Sequence, residues 1–359
     1  MKVISLFWLA LLGVMVAAVP LAYVWRSRDS QKFRKLAWVT AFLTLDLIML
    51  GSFTRLTDSG LGCPDWPGCY GASNPMAASE SIARAQSALP SGPVTPTKAW
   101  IEMGHRYLAL AVGVLIIVLT VQAWRRTSRT ATTQYTPWLT TAALLWVCVQ
   151  GAFGALTVTM RLQPAIVTLH LLGGIVLLAL LMWVALRESP VDLFIDAPRV
   201  RAIAIASITA AFVQIALGGW VSSNYAVMAC PDFPLCQGEI FPPMDFSQGF
   251  TWWRALGRTG AGELISFQAL VAIHWMHRVF AAVVVAAIGV LVWQLWRVGA
   301  KPLAFGLFAI ITLQLLTGLS NVVLQWPLLL AVLHSGGAAL LVAWLVVVIY
   351  RTAPRLRNR

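Results

Sequence analysis

Four histidines inside apolar segments are the residues whose type and spacing most directly suggest chemistry. An ionisable side chain in such a segment is costly to bury and is a functional candidate by default. His105, His170 and His334 each lie five to seven residues from the start of their segment, which is about 8–10 Å along a helix. His277 reaches the same depth if its longer segment begins outside the membrane. Two imidazoles from facing helices can fill both axial positions of a heme iron, so the four residues predict two heme sites.

Other interpretations of these histidines stay open. A single histidine can be hydrogen-bonded within a bundle without any further role, although four at one depth argue against this. A zinc ion needs three or four ligands close together, whereas each half of the chain supplies only two histidines at this depth. A transporter could use the same residues as a proton relay.

The residues beside the histidines differ between the two pairs. Glu102 precedes His105 by three residues, so both project from one face of a helix. The same position before His277 is held by His274. We therefore predict that Glu102 moves protons at the first site, while the second site only holds a cofactor. Glu102 could instead only pair with Arg106 or cap the helix.

An arginine directly follows a histidine in each half. Arg106 and Arg278 could pair with the propionates of a bound heme. The alternative is that both side chains extend towards the membrane surface without a specific ligand.

Four of the five cysteines form two loops with the pattern Cys-Pro-Asp-aromatic-Pro-x-Cys. The prolines hold the thiols close, and an oxidising compartment would favour two disulfide bonds, Cys63–Cys69 and Cys230–Cys236. A redox role for one pair and a metal site are the alternatives. Cys148 lies within an apolar segment and is expected to serve packing.

The composition places the chain in a membrane. It has 359 residues, of which 59% are hydrophobic and 11% are charged, whereas soluble proteins carry about 25% charged residues. The net charge of +13 could suggest nucleic acid, but the basic residues lie in short runs between apolar blocks. That pattern is typical of membrane topology, so no nucleic-acid partner is expected.

Nine apolar segments are long enough to span the bilayer as helices. Of the 26 basic residues, 17 follow the odd-numbered segments, including the C-terminal tail. This predicts a cytoplasmic C-terminus, a periplasmic N-terminus and two long periplasmic loops, 55–99 and 222–263. The first segment is expected to be a retained helix rather than a signal peptide. The predicted spans are 4–25, 36–54, 100–123, 137–158, 164–186, 201–221, 264–295, 302–324 and 327–350.

An internal repeat relates the two halves. The stretch 51–69 recurs at 218–236, with an offset of 167 residues, and each copy is followed by the same order of histidines. Four spans per copy give both copies the same orientation. The predicted fold is an all-α polytopic membrane protein with two parallel-repeat four-helix bundles and one extra N-terminal transmembrane helix. The predicted domains are 1–35 for the extra helix with its basic loop, 36–190 for the first half and 191–359 for the second.

These motifs together resemble the heme A synthase family. The resemblance rests on the stretches Glu102–Arg106 and Gly51–Leu61, the two cysteine loops and the repeated histidine pairs, and covers about residues 36–350. In that family two four-helix halves each hold a heme-sized site, and the enzyme oxidises the C8 methyl group of heme O to the formyl group of heme A. The first span lies outside this eight-helix core.

The resemblance also implies roles for individual residues. It implies that His105 and His170 lie at the substrate heme site, with Glu102 catalytic. It further implies that His277 and His334 ligate a bound heme b.

The expected setting is a bacterial inner membrane in which heme A is made for cytochrome oxidase assembly. The expected partners are the lipid bilayer, the heme O synthase that supplies the substrate, oxidase assembly factors and an electron acceptor that the sequence does not identify. A homo-oligomer is left open. The main alternative function is a di-heme b-type cytochrome that takes electrons from quinol, which would need the histidine pairs but not Glu102.

Overall fold

The computed structural model describes residues 2–129, 137–189 and 195–353. The predicted domain boundary at residue 190 and the tail residues Arg355, Arg357 and Arg359 lie outside these ranges. The helices in chain order are α1 (Lys2–Arg26), α2 (Lys32–Leu56), α3 (Ser79–Ala88), α4 (Pro96–Arg129), α5 (Pro137–Thr159), α6 (Pro164–Arg187), α7 (Pro198–Ser223), a 3-10 turn (Ala226–Ala229), α8 (Phe246–Gly249), α9 (Phe267–Arg297), α10 (Lys301–Val323) and α11 (Leu328–Arg351).

Local sequence signals explain where several of these helices begin. Pro96, Pro137 and Pro164 are the first residues of α4, α5 and α6, a position where the missing N–H costs nothing and the fixed φ suits a helix. Ser266 caps α9 by accepting a hydrogen bond from the backbone N–H of Ala269 at 3.3 Å.

The prediction of an all-α polytopic membrane protein is confirmed. In the described part of the chain, nine helices are long and apolar enough to cross a membrane, and they correspond to the nine predicted spans. The longest of them exceed a hydrocarbon core of about 30 Å. α9 has 31 residues and α4 has 34, which correspond to lengths of about 46 Å and 51 Å. Both helices therefore tilt or extend beyond the membrane.

The chain folds into two compact units. The first consists of Met1–Leu162 and Val176–Glu188, and in it α4 packs against α1, α2 and α5. The second consists of Gln163–Ile175 and Ser189–Arg359, and in it α9 packs against α7 and α10 while α11 packs against the same two helices. The predicted domains assign all of α6 to the first half, whereas the packing divides this helix between the units.

The extra helix α1 supports the first cysteine loop. Gly13 lets α1 approach α4 closely, because a Cβ added there would lie 2.8 Å from the Cβ of Leu110. Nearer its N-terminal end, Leu9 is buried in one apolar cluster with Cys63, Cys69 and other residues of the loop and of α4. No role for this helix could be predicted from the sequence, and packing against the loop is the role that its neighbours indicate.

Candidate functional site

The first cysteine loop is closed by a disulfide bond and an aspartate. Cys63 and Cys69 are bonded, with a distance of 4.9 Å between their Cα atoms. The carboxylate of Asp65 accepts the backbone N–H groups of Tyr70 at 2.6 Å and Gly71 at 2.7 Å. The aspartate of the Cys-Pro-Asp motif therefore closes the turn that brings the second cysteine back to the first.

The second loop repeats this arrangement. Cys230 and Cys236 are bonded, with a distance of 4.6 Å between their Cα atoms. Asp232 accepts the N–H groups of Gln237 and Gly238, both at 2.8 Å. The hydrogen bond from Gly238 is the largest of the effects that hold the pKa of the Asp232 carboxyl below its usual range. Both disulfides are the pairs predicted from the sequence.

Arg106 holds the first loop against α4. Its Nη1 atom lies 3.0 Å from the carbonyl oxygen of Asp65, 3.1 Å from that of Pro67 and 2.5 Å from that of Gly68. A guanidinium has five N–H donors in a fixed plane, so it can satisfy several carbonyl oxygens of a tight loop at once.

Arg278 holds the second loop in the same way. Its Nη1 atom donates to the carbonyl oxygens of Asp232 at 2.7 Å and Leu235 at 3.0 Å, and its Nη2 atom donates to that of Cys230 at 2.6 Å. Loop carbonyls are thus partners of both arginines, together with Glu102 for Arg106 and His274 for Arg278. Their predicted contact with heme propionates stays a prediction.

Glu102 connects α4 to the first cysteine loop. The residue is buried, forms an ion pair with Arg106 and accepts the backbone N–H of Cys63 at 2.8 Å. This pairing with Arg106 is the alternative that the sequence left open, and it does not decide whether the carboxylate also acts in catalysis. In the second half His274 takes the place of the glutamate, and its Nε2 atom lies 3.3 Å from Nε of Arg278.

In the first unit, a glycine makes room for the imidazole of His105. A Cβ added at Gly51 of α2 would lie 2.9 Å from Cε1 of His105 on α4. A real Cβ atom could not lie so close to the ring, so any residue larger than glycine at position 51 would force α2 and α4 to shift. The imidazole of His105 therefore packs directly against the backbone of α2. The glycine of the Gly-Ser-Phe motif therefore fixes how closely the histidine ring approaches α2.

The second unit brings two predicted heme ligands together. His277 and His334 lie on α9 and α11, and both of these helices pack against α7 and α10. Each ring packs against a glycine, because Cβ atoms added at Gly218 and Gly318 would lie 3.0 Å and 3.1 Å from Cε1 of His277 and His334. Gln214 also contacts the imidazole of His277, with its Nε2 atom 3.1 Å from Nδ1 of that ring.

His170 belongs to a different unit from His105. It lies in the part of α6, Gln163–Ile175, that packs with the second unit, whereas His105 lies in the first unit. Its Nδ1 atom is buried without a hydrogen-bond partner among the described residues. The predicted pairing of the two histidines at one heme stays a prediction.

The donor set of the second unit fits a heme better than a metal ion held by protein alone. Groups of three or more His, Cys, Asp or Glu side chains that could hold a metal ion are absent from the ranges that the structure describes. A structural zinc ion would need such a group. Two imidazoles on helices of one unit, each packed against a glycine, are a donor set that would hold a heme.

Several residues near the histidines were not singled out from the sequence. The glycines that pack against the histidine rings were detectable, because Gly51 and Gly218 occupy the same position of the repeat. Thr317, which contacts His334, gave no signal of its own. The expectation that Cys148 serves packing is wrong, because this residue is exposed on α5.

The disulfide bonds can be tested by thiol labelling without reductant. In a Cys148→Ser background the protein is expected to take up no label, because the other four cysteines are paired. Adding Cys63→Ser or Cys230→Ser should each free one thiol and give one label per chain. Labelling of the background variant itself would contradict the pairing.

Comparisons with known proteins show the family to which the chain belongs. Residues 34–346 match the model of a family described as cytochrome oxidase assembly protein, so α1 lies outside the match. The chain is 36% identical over 323 residues to the heme A synthase of Shewanella oneidensis, covering 88% of this chain and 96% of that protein. It is 30% identical over 355 residues to the heme A synthase of Caulobacter vibrioides, with 89% and 95% covered. The chain belongs to the heme A synthase family of cytochrome oxidase assembly proteins.

Proposed function

We propose that this protein is the membrane enzyme that oxidises the C8 methyl group of heme O to the formyl group of heme A, for cytochrome oxidase assembly. The observation that carries the proposal is the family match over residues 34–346, which includes Glu102 and all four candidate ligand histidines. The similarity to two heme A synthases along nearly their whole length supports the same activity.

The N-terminal half is proposed to bind and convert the substrate heme. His105 is proposed as a ligand of the heme iron. The packing of its ring against Gly51 supports a fixed position of the imidazole. Glu102 lies one helical turn away on the same helix, so its carboxylate is proposed to accept or donate protons as hydrogens leave the methyl group. The ion pair with Arg106 and the Cys63 hydrogen bond would hold this carboxylate in one orientation. His170 is proposed as the second ligand.

The C-terminal half is proposed to hold a resident heme b through His277 and His334. Such a heme supplies a one-electron redox centre when it is bound. In this unit Gln214 contacts the ring of His277 and Thr317 contacts the ring of His334, so these side chains would orient the two imidazoles. His274 replaces the glutamate here, so this half has no equivalent carboxylate for proton transfer.

The proposed setting is a bacterial inner membrane, with the N-terminus and both cysteine loops in the periplasm and the C-terminus in the cytoplasm. The arrangement of basic residues supports this orientation, and disulfide bonds in both loops suit an oxidising compartment. Heme O synthase and oxidase assembly factors are the proposed partners. The division 36–190 and 191–359 is proposed to separate the substrate half from the heme b half.

A heme analysis of the purified protein separates this function from a di-heme b-type cytochrome. The synthase is expected to carry heme b together with heme O or heme A, identified by pyridine hemochrome spectra and chromatography. A protein that carries only heme b, at two hemes per chain, would be the cytochrome. A protein without a Soret band would exclude both.

A further inference from the structure

We propose that Thr317 is a positioning residue for His334, because its hydroxyl oxygen accepts a hydrogen bond from the Nδ1–H group of the imidazole and leaves the Nε2 lone pair for a heme iron. The inference rests on the proposed heme b site. It adds a residue that fixes the tautomer of His334, one of the two proposed ligands. Thr317 lies in α10 and is buried, with its Oγ1 atom 3.0 Å from Nδ1 of His334.

The hydrogen-bond directions follow from what each group can donate. The hydroxyl carries one hydrogen, and Oγ1 lies 2.8 Å from the carbonyl oxygen of Leu313 and 3.3 Å from that of Gln314. We assign the hydroxyl hydrogen to the carbonyl oxygen of Leu313, because this acceptor is nearer than Nδ1 of His334. The lone pairs of Oγ1 then face the imidazole, and Nδ1 of His334 must carry the proton. A neutral imidazole protonated at Nδ1 has its free lone pair at Nε2.

Two further contacts hold the same residue in place. The ring packs against Gly318, where an added Cβ would lie 3.1 Å from Cε1 of His334. The backbone carbonyl oxygen of His334 accepts a hydrogen bond from Nε2 of Gln314 at 3.1 Å. A partner at the second nitrogen is what metal-bound histidines generally have, because it fixes the ring orientation and raises the basicity of the ligand.

The threonine is present in only one copy of the repeat. α5 and α10 correspond with an offset of 164 residues, which also relates His170 to His334. Gly318 then corresponds to Gly154, but Thr317 corresponds to Phe153, which cannot accept a hydrogen bond. This difference fits a cofactor that stays bound in the second copy and a substrate that must leave the first.

The test compares Thr317→Val with the wild-type protein, because valine keeps the shape but has no acceptor. We expect heme b to transfer to excess apomyoglobin roughly 10-fold to 100-fold faster. We also expect the midpoint potential of the remaining heme to shift to a more positive value, because a less basic imidazole stabilises ferric iron less.

Three further variants complete the comparison. Thr317→Ser keeps the hydroxyl and should have the wild-type rate of heme transfer and the wild-type potential. Thr317→Ala should have the same two changes as Thr317→Val. Thr312→Val is the matched control, since the Thr312 hydroxyl donates to Phe308 in the same helix.

The outcomes separate this inference from the function on which it rests. Wild-type heme transfer and potential in both Thr317→Val and Thr317→Ala would overturn the inference, provided that His334→Ala loses its heme b. Full heme b content in His334→Ala would instead overturn the heme b site itself, and the role of Thr317 with it.

Discussion

His277→Ala and His334→Ala are each expected to lose most of the heme b that co-purifies with the wild-type protein. The two histidines lie in the second unit, on helices that both pack against α7 and α10, and each variant would remove one of the two residues proposed to hold the heme. His105→Ala and His170→Ala are expected to keep heme b and to lose heme O or heme A binding. The measurement is the ratio of each extracted heme to protein after purification in detergent.

The four variants control for one another, because each removes one imidazole from a membrane-spanning helix. Nonspecific destabilisation would lower the yield of folded protein without distinguishing between types of heme. Equal loss of heme b from all four variants would contradict the assignment of the resident heme to the C-terminal half.

Glu102→Gln is expected to lower heme A production by roughly 10²-fold to 10⁴-fold, the usual contribution of a positioned general acid or base. The amide keeps the size of the side chain and can still accept the Cys63 N–H, but it cannot take up and release a proton. The variant should therefore insert normally, keep its disulfide bonds and heme b, and accumulate heme O or a partly oxidised heme. The hemes are measured in membranes of cells that express the variant.

Glu80→Gln is the matched control for this change. Glu80 and Arg84 form an ion pair with the same spacing as Glu102 and Arg106, but both side chains are exposed on α3. Glu80→Gln should leave heme A production unchanged. Nearly normal production of heme A by Glu102→Gln would contradict a catalytic role for the carboxylate. Glu102 would then only anchor the cysteine loop through Arg106, and the histidines would be the remaining candidates for catalysis.

The membrane architecture could be predicted from the sequence because it depends on local and periodic properties. Hydrophobic length fixes the nine spans, and the bilayer allows little besides helices for them. The cysteine pairs were also predictable, because Cys69 and Cys236 each follow their partner by only six positions in the sequence. A separation this short, with prolines between, leaves few other ways to place the thiols.

The contacts of the site could not be predicted in the same way. Arg106 and Arg278 follow histidines in the sequence, which suggested a heme contact, but their carbonyl partners depend on how each loop folds back onto its helix. Thr317 is one of several threonines in apolar helices, and only the packing of α10 on α11 brings it to His334. The division of α6 between two units depends likewise on long-range packing, which has no signature in a single helix.

Conversion of heme O to heme A can be measured in bacterial membranes that contain heme O synthase but no other heme A synthase. Hemes are extracted from cells with and without this chain and identified by chromatography and mass spectrometry. We predict heme A, with the mass change of a methyl-to-formyl conversion, only when the wild-type chain is present. Membranes in which the folded protein carries heme b while heme O stays unconverted would contradict the proposed function.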